Sequence, residues 1–224
     1  MKVILFGTTG MVGQGVLKAC LADPEVSSVL SIVRSPSGFQ HDKFREIAHR
    51  DFTQFDSIEK DLAGFDACFF CLGVSAAGMS EKDYHHVTYD FTLAAAKILS
   101  RLNPAMTFIY VSGEGTDETE KGRVMWARVK GQTENALLQL PFKAAYMFRP
   151  GYIQPMDGIV SKTKLYRALY AVVAPLYPLW KFLFPNKVTT TREVGLAMIM
   201  VAKYGAPRKT LNNVDINVLA MKKN

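Results

Sequence analysis

The segment VILFGTTGMVGQGVLKACL, Val3 to Leu21, is an apolar run broken by Gly7, Gly10 and Gly13 and resumed at helical spacing. A chain that leaves a strand and enters a helix within a few residues must turn tightly, and glycine removes the side chains that would obstruct it. The rest of the chain repeats the same alternation. Apolar, often β-branched runs at Lys2–Phe6, Ser28–Val33, Glu46–Arg50, Ala67–Leu72, Thr107–Ser112 and Ala144–Phe148 read as strands. Met11–Leu21, Asp83–Arg101 and Val124–Leu140 return apolar residues every three or four positions and read as helices. Strands that are apolar nearly throughout, separated by helices, predict a parallel sheet covered on both faces, a doubly wound α/β fold. At 224 residues and 49% hydrophobic composition, one domain with a full core is expected over 1–224. The irregular stretches are Ser35–Gly38, Gly73–Ser80 and Gly113–Arg123.

A glycine triplet alone is a weak motif, but a strand before it and a helix after it are the context a dinucleotide site requires. Gly7 then permits the turn, Gly10 lets a pyrophosphate approach the backbone, and Gly13 lets helix pack on strand. The free N–H groups of Met11 and Val12 and the helix dipole face the phosphates, and Thr8 and Thr9 offer hydroxyls. A glycine-rich turn without a ligand is the plainer reading. The net charge of +7 is scattered rather than gathered in a run, which suits a small phosphorylated ligand better than nucleic acid. Met1 leads straight into a strand-like segment with no secretory pattern, so a cytoplasmic protein is expected.

The triplet G-x-x-G-x-x-G after the first strand resembles that of the extended and atypical short-chain dehydrogenase/reductase superfamily, whose members include epimerase and dehydratase-like Rossmann proteins. Arg149-Pro150-Gly151 after the Ala144–Phe148 strand and Ser112 at the end of another strand resemble the same superfamily. The similarity covers about residues 1–155 and the helix start at Arg192–Met200. It implies an NAD(P)-binding Rossmann fold with residues 151–190 as a variable substrate or lid segment. The family's Tyr-x-x-x-Lys pair reads Trp126-Ala127-Arg128-Val129-Lys130 here, with Gly131 and Glu134-Asn135 keeping the alignment. Lys130 matches and Trp126 takes the tyrosine position, where an indole donates a hydrogen bond but does not titrate near neutral pH.

No carboxylate follows the second strand to grip an adenosine ribose; Arg34 and Ser35 stand there instead, which favours a 2′-phosphate and therefore NADP over NAD. A solvated arginine is the alternative. Asp51-Phe52 resembles the family's acidic–apolar pair beside adenine, or is an Asp turn cap. Leu72 and Gly73 end the fourth strand where the resemblance implies a small-residue turn against the cofactor, a plain turn glycine being the alternative for Gly73, and Pro150 and Gly151 of the R-P-G are further candidate cofactor contacts. Ser112, Trp126 and Lys130 are the candidate catalytic set, with a proton supplied by water or by a side chain such as Tyr152. The expected function is NADP(H)-dependent oxidoreduction of a small, partly apolar carbonyl or alcohol; the alternative is a non-catalytic NADP(H)-binding redox sensor or partner-binding protein.

Cys68 and Cys71 form a C-x-x-C inside a strand-like run, where residues three apart face opposite ways, so buried thiols are expected rather than a redox pair. His85 and His86 are adjacent at a helix start and read as surface residues, and no metal site is expected. The stretch Lys164 to Lys187 is aromatic but broken by Pro175, Pro178 and Pro185 and charged by Arg167 and Lys181, a poor membrane span. It suits a lid, a homodimer surface or a patch resting on a membrane, and the resemblance favours the lid.

Overall fold

A computed structural model describes residues 1–159 and 177–222. The strands are β1 Lys2–Phe6, β2 Ser28–Val33, β3 Phe44–Ala48, β4 Ala67–Phe70, β5 Thr107–Val111, β6 Ala144–Arg149, β7 Tyr152–Gln154, β8 Val188–Thr190 and β9 Thr210–Asn212. The α-helices are α1 Met11–Ala22, α2 Glu81–His85, α3 Phe91–Leu102, α4 Met125–Leu138, α5 Tyr177–Leu183, α6 Thr191–Tyr204 and α7 Asn213–Met221. Seven strands pair in parallel in the order β3-β2-β1-β4-β5-β6-β9, and β7 pairs with β8 in a separate two-stranded sheet. This is a doubly wound Rossmann-type α/β fold.

β1 shows why the strands are apolar throughout. Val3 and Leu5 enter a core layer with Val16, Ala19 and Cys20 of α1 and with Val194, Met198 and Ile216 of the C-terminal helices. Ile4 and Phe6 enter the opposite layer with Leu62, Leu99, Phe108 and Leu137. Cys68 lies in that second layer while Cys71 packs against the first, so the C-x-x-C is split across the sheet. Burial pushes all three thiols well above the ordinary cysteine range.

Strand order reverses at β1, which has β2 on one side and β4 on the other, and α1 starts at that switch. α1 also crosses α6 at Gly15 and Gly195. A Cβ on Gly195 would lie 2.7 Å from the Ala19 Cβ and 3.1 Å from the Gly15 carbonyl oxygen. This crossing was not read from the sequence, because glycine inside a helix carries no periodic signal.

Several boundaries differ from the sequence expectation. β3 runs over Phe44–Ala48 rather than Glu46–Arg50, since pairing with β2 begins at Val29 with Phe44. The helix expected over Asp83–Arg101 is three pieces, with a π-helical turn at His86–Asp90 between α2 and α3. The Phe91 N–H reaches back to the His86 carbonyl in the wider register. That turn lets both histidines reach one carboxylate: His86 Nδ1 lies 2.8 Å and His85 Nδ1 3.4 Å from Asp90. Residues 164–176 of the aromatic stretch lie outside the described residues. Among the described residues no helix is long and apolar enough to cross a membrane.

Gly195→Val is expected to destabilise the chain by about 1–3 kcal/mol through overpacking at the α1–α6 crossing. Gly73→Ala, where an added Cβ meets nothing within 4 Å, is expected to stay within about 0.5 kcal/mol of the native chain. Urea midpoints of the two variants check both.

Candidate functional site

Gly7 adopts a left-handed φ of 85°, and a Cβ there would lie 2.6 Å from the Cys71 carbonyl carbon and the Leu72 nitrogen. The turn therefore needs glycine for its conformation and for the close approach of the chain leaving β4. A Cβ on Gly13 would fall 2.0 Å from the Gly7 oxygen, so α1 sits directly on the turn. Gly10 differs. Its nearest neighbour would be the Gly7 oxygen at 3.3 Å, and no side chain caps the helix it begins. The space above Gly10 is open toward the N-terminus of α1, a place for an anion.

Beside this turn lies a cleft of about 560 Å³ lined by Gly7, Thr8, Thr9, Ile32, Val33, Arg34, Ser35, Arg50, Phe52 and Leu72. It brings together residues from the ends of β1, β2 and β4 and from the loop after β3. Arg50 was not singled out from the sequence. The signal available was a second arginine just beyond a strand end, in His49-Arg50-Asp51. Phe52 is buried against Phe6, Phe55 and Phe91 and presents an apolar wall.

Two neighbours of the cleft have other employment. The Thr8 hydroxyl is buried and shares a 2.7 Å hydrogen bond with the Ser31 hydroxyl, pinning the turn to β2 instead of offering itself to a phosphate. The Asp51 carboxylate accepts the Thr53 N–H and hydroxyl, which hold it below the usual carboxylate range. This is the geometry of an Asp turn cap, one of the two readings the sequence left open.

A second cluster forms where β5 and β6 end. Lys130 on α4 donates from Nζ to the Ser112 carbonyl. The hydroxyl of Ser112, a member of the candidate catalytic set, points inward: it donates to Glu134 Oε1 and lies 3.1 Å from the Phe148 carbonyl oxygen. Ser112 is thus a buried anchor, its proton committed to Glu134. Arg149 Nε lies 3.1 Å from each Glu134 oxygen, closing a buried chain from β5 through α4 to β6. Neither Glu134 nor Arg149 stood out from the sequence as a site residue, since each reads there only as part of a family alignment.

Trp126, one turn before Lys130 on α4, packs its indole over Gly115, 3.4 Å from where a Cβ on that glycine would stand. Pro150 and Gly151 serve the frame. The Pro150 carbonyl accepts the Glu114 N–H, and the Gly151 N–H donates to Asn213 Oδ1. Tyr152 on β7 donates to Gln154 Oε1 at 2.8 Å, and burial raises its phenol above the ordinary value.

Burial lowers Lys130 to about 8, with the Glu134 charge opposing that fall. The unfolded lysine, near 10.5, holds a proton that the folded one releases, so this group adds stability as pH rises from about 8 to 10.5. Over that window the native chain is expected to gain on the order of 1–3 kcal/mol relative to Lys130→Met. Urea unfolding of the two proteins across the pH range measures it, and parallel curves would contradict a depressed Lys130.

No protein-family model matches the chain. It is 26% identical over 154 residues to protein HTATIP2 of Rattus norvegicus, covering 68% of this chain and 62% of that one. It is 30% identical over 159 residues to the mitochondrial protein fmp52 of Emericella nidulans, covering 68% of this chain and 66% of that one. The chain thus spans somewhat less than two thirds of the length of curated relatives it matches. Among solved structures, Gre2 of Candida albicans in complex with NADPH superposes with a TM-score of 0.72 at 15% identity, over 95% of this chain and 77% of that one.

Proposed function

Because the chain belongs to the short-chain dehydrogenase/reductase superfamily, among its atypical members, we propose that it is an NADP(H)-dependent oxidoreductase acting on a small, partly apolar carbonyl or alcohol. The observation that carries this reading is the cleft in which Arg34 and Arg50 share the lining with Gly7, Thr8 and Thr9 of the glycine turn. Two guanidiniums and no free carboxylate among its lining residues suit a ribose bearing a 2′-phosphate. Met11, Val12 and Gly13 begin the helix that faces the pyrophosphate, while Phe52 and Leu72 form the apolar wall for the base.

The dinucleotide supplies or accepts the hydride when bound. The chain's own part is to position it and to manage a proton. Lys130 has three donors, one given to the Ser112 carbonyl, leaving N–H groups for ribose hydroxyls. Its value of about 8 lies in the range where a general acid works. With Trp126 in the tyrosine position no phenol relays the proton, and the reading assigns it to Lys130 or to water beside it. An indole that does not titrate at position 126 favours a second reading, a dinucleotide sensor without turnover.

NADPH is expected to bind at least about tenfold more tightly than NADH, a difference of about 1.4 kcal/mol. Arg34→Ala and Arg50→Ala should each remove much of that preference; equal affinities in the native protein would reject the NADP assignment. Turnover separates the two readings. Trp126→Tyr places a phenol one helical turn from the Lys130 ammonium, where general acid catalysis is worth roughly 10²–10⁴-fold. A panel of aldehydes, ketones and quinones with NADPH should show activity that rises in this variant. Background rates in both proteins, with NADPH binding intact, would establish the sensor.

A further inference from the structure

We propose that the aromatic tip Trp180–Phe184 docks this protein on an anionic membrane surface. At the end of α5 three successive residues stand in solvent, with Phe182 82%, Leu183 53% and Phe184 48% exposed, and Trp180 is 39% exposed. The Trp180 and Phe184 rings stack at 5.6 Å, so the four residues form one patch rather than scattered apolar points. A contiguous exposed patch of this kind marks an interaction site.

Its shape selects the partner. Phe182 and Leu183, neighbours on α5, diverge by about 100°, and Phe184 lies past the helix end stacked on Trp180, so the patch makes no single helical stripe for a partner helix to grip. It forms a blunt apolar point, which a fluid interface receives in any direction. Tryptophan and phenylalanine beside lysine is the composition of interfacial segments.

Charge selects the headgroup. From Gly158 to Arg192 the sequence carries Lys162, Lys164, Arg167, Lys181, Lys187 and Arg192 and no Asp or Glu. Lys181 pairs with Glu193 at 3.3 Å and Lys187 pairs with Glu114, but both lysines are about half exposed and their ion pairs are screened. Anionic headgroups compete for the same ammonium groups at the edge of the patch. The Lys187–Glu114 pair also ties this edge to the loop after β5, the loop that carries Gly115 beneath Trp126.

The test is co-sedimentation of the full chain with vesicles of equal parts phosphatidylcholine and phosphatidylglycerol. Binding is expected at low salt, weaker by about tenfold in high salt or on phosphatidylcholine alone. Phe182→Ser combined with Leu183→Ser should lose about tenfold or more of that binding, while thermal melting stays native because both side chains are exposed. Lys187→Glu should weaken binding by about fivefold per unit of charge. No binding of the native chain to the anionic vesicles overturns the proposal, as does undiminished binding by the double variant. A concentration-dependent dimer that the double variant abolishes, with no lipid bound, also overturns it and assigns the patch to a second copy.

Discussion

The structure depends on the backbone packing at Gly7. Its carbonyl oxygen accepts the Gly10 N–H at 2.9 Å and lies where a Cβ on Gly13 would intrude, while its α-carbon faces the chain leaving β4. Three segments therefore meet with no side chain between them. That contact sets how deeply α1 sits on the sheet, and the depth of α1 in turn sets its crossing with α6 at Gly15 and Gly195. It also aims the first N–H groups of α1 at the point where strand order reverses, which is where an open α/β sheet leaves a crevice. One steric constraint thus fixes both the C-terminal half of a core layer and the mouth of the cleft.

The other fixed point is electrostatic. Glu134 is 1% exposed and shares its carboxylate between Arg149 and the Ser112 hydroxyl. A buried ion pair gains little over an apolar substitute, because both charges lose water, but removing one partner strands the other at a cost of about 3–5 kcal/mol. Such a pair is therefore weak as a source of stability and strong as a lock. Here it locks the last residues of β5 and β6 to the helix that carries Lys130 and Trp126. The same carboxylate supplies the charge that opposes the fall in Lys130.

The sheet was legible because its signal is local. Lys2–Phe6 and Ser28–Val33 match the sequence reading residue for residue, since strands buried on both faces are apolar nearly throughout. β3 slipped by two residues because an edge strand alternates and its ends are set by its partner. The glycine turn was legible as a motif, yet the reason for Gly7 is its approach to Cys71 and Leu72, more than sixty residues away, which no local pattern encodes. The inward turn of Ser112 was hidden for the same reason. A serine at a strand end looks alike whether it faces a substrate or a carboxylate one layer deeper. Arg50 was passed over because β3 was expected to end on it, whereas the strand, shifted two residues earlier, leaves it at the rim of the cleft.

Lys130 shows what the site demands of the fold. An ammonium group held at about 8 is a charge kept where burial disfavours it, with one hydrogen bond to the Ser112 carbonyl and a carboxylate one helical turn away. A leucine or methionine would suit the same position better if packing alone were at stake. Half-buried, with its value lowered by burial, Lys130 is the kind of perturbed group that gathers at functional sites and in structural ion-pair networks alike.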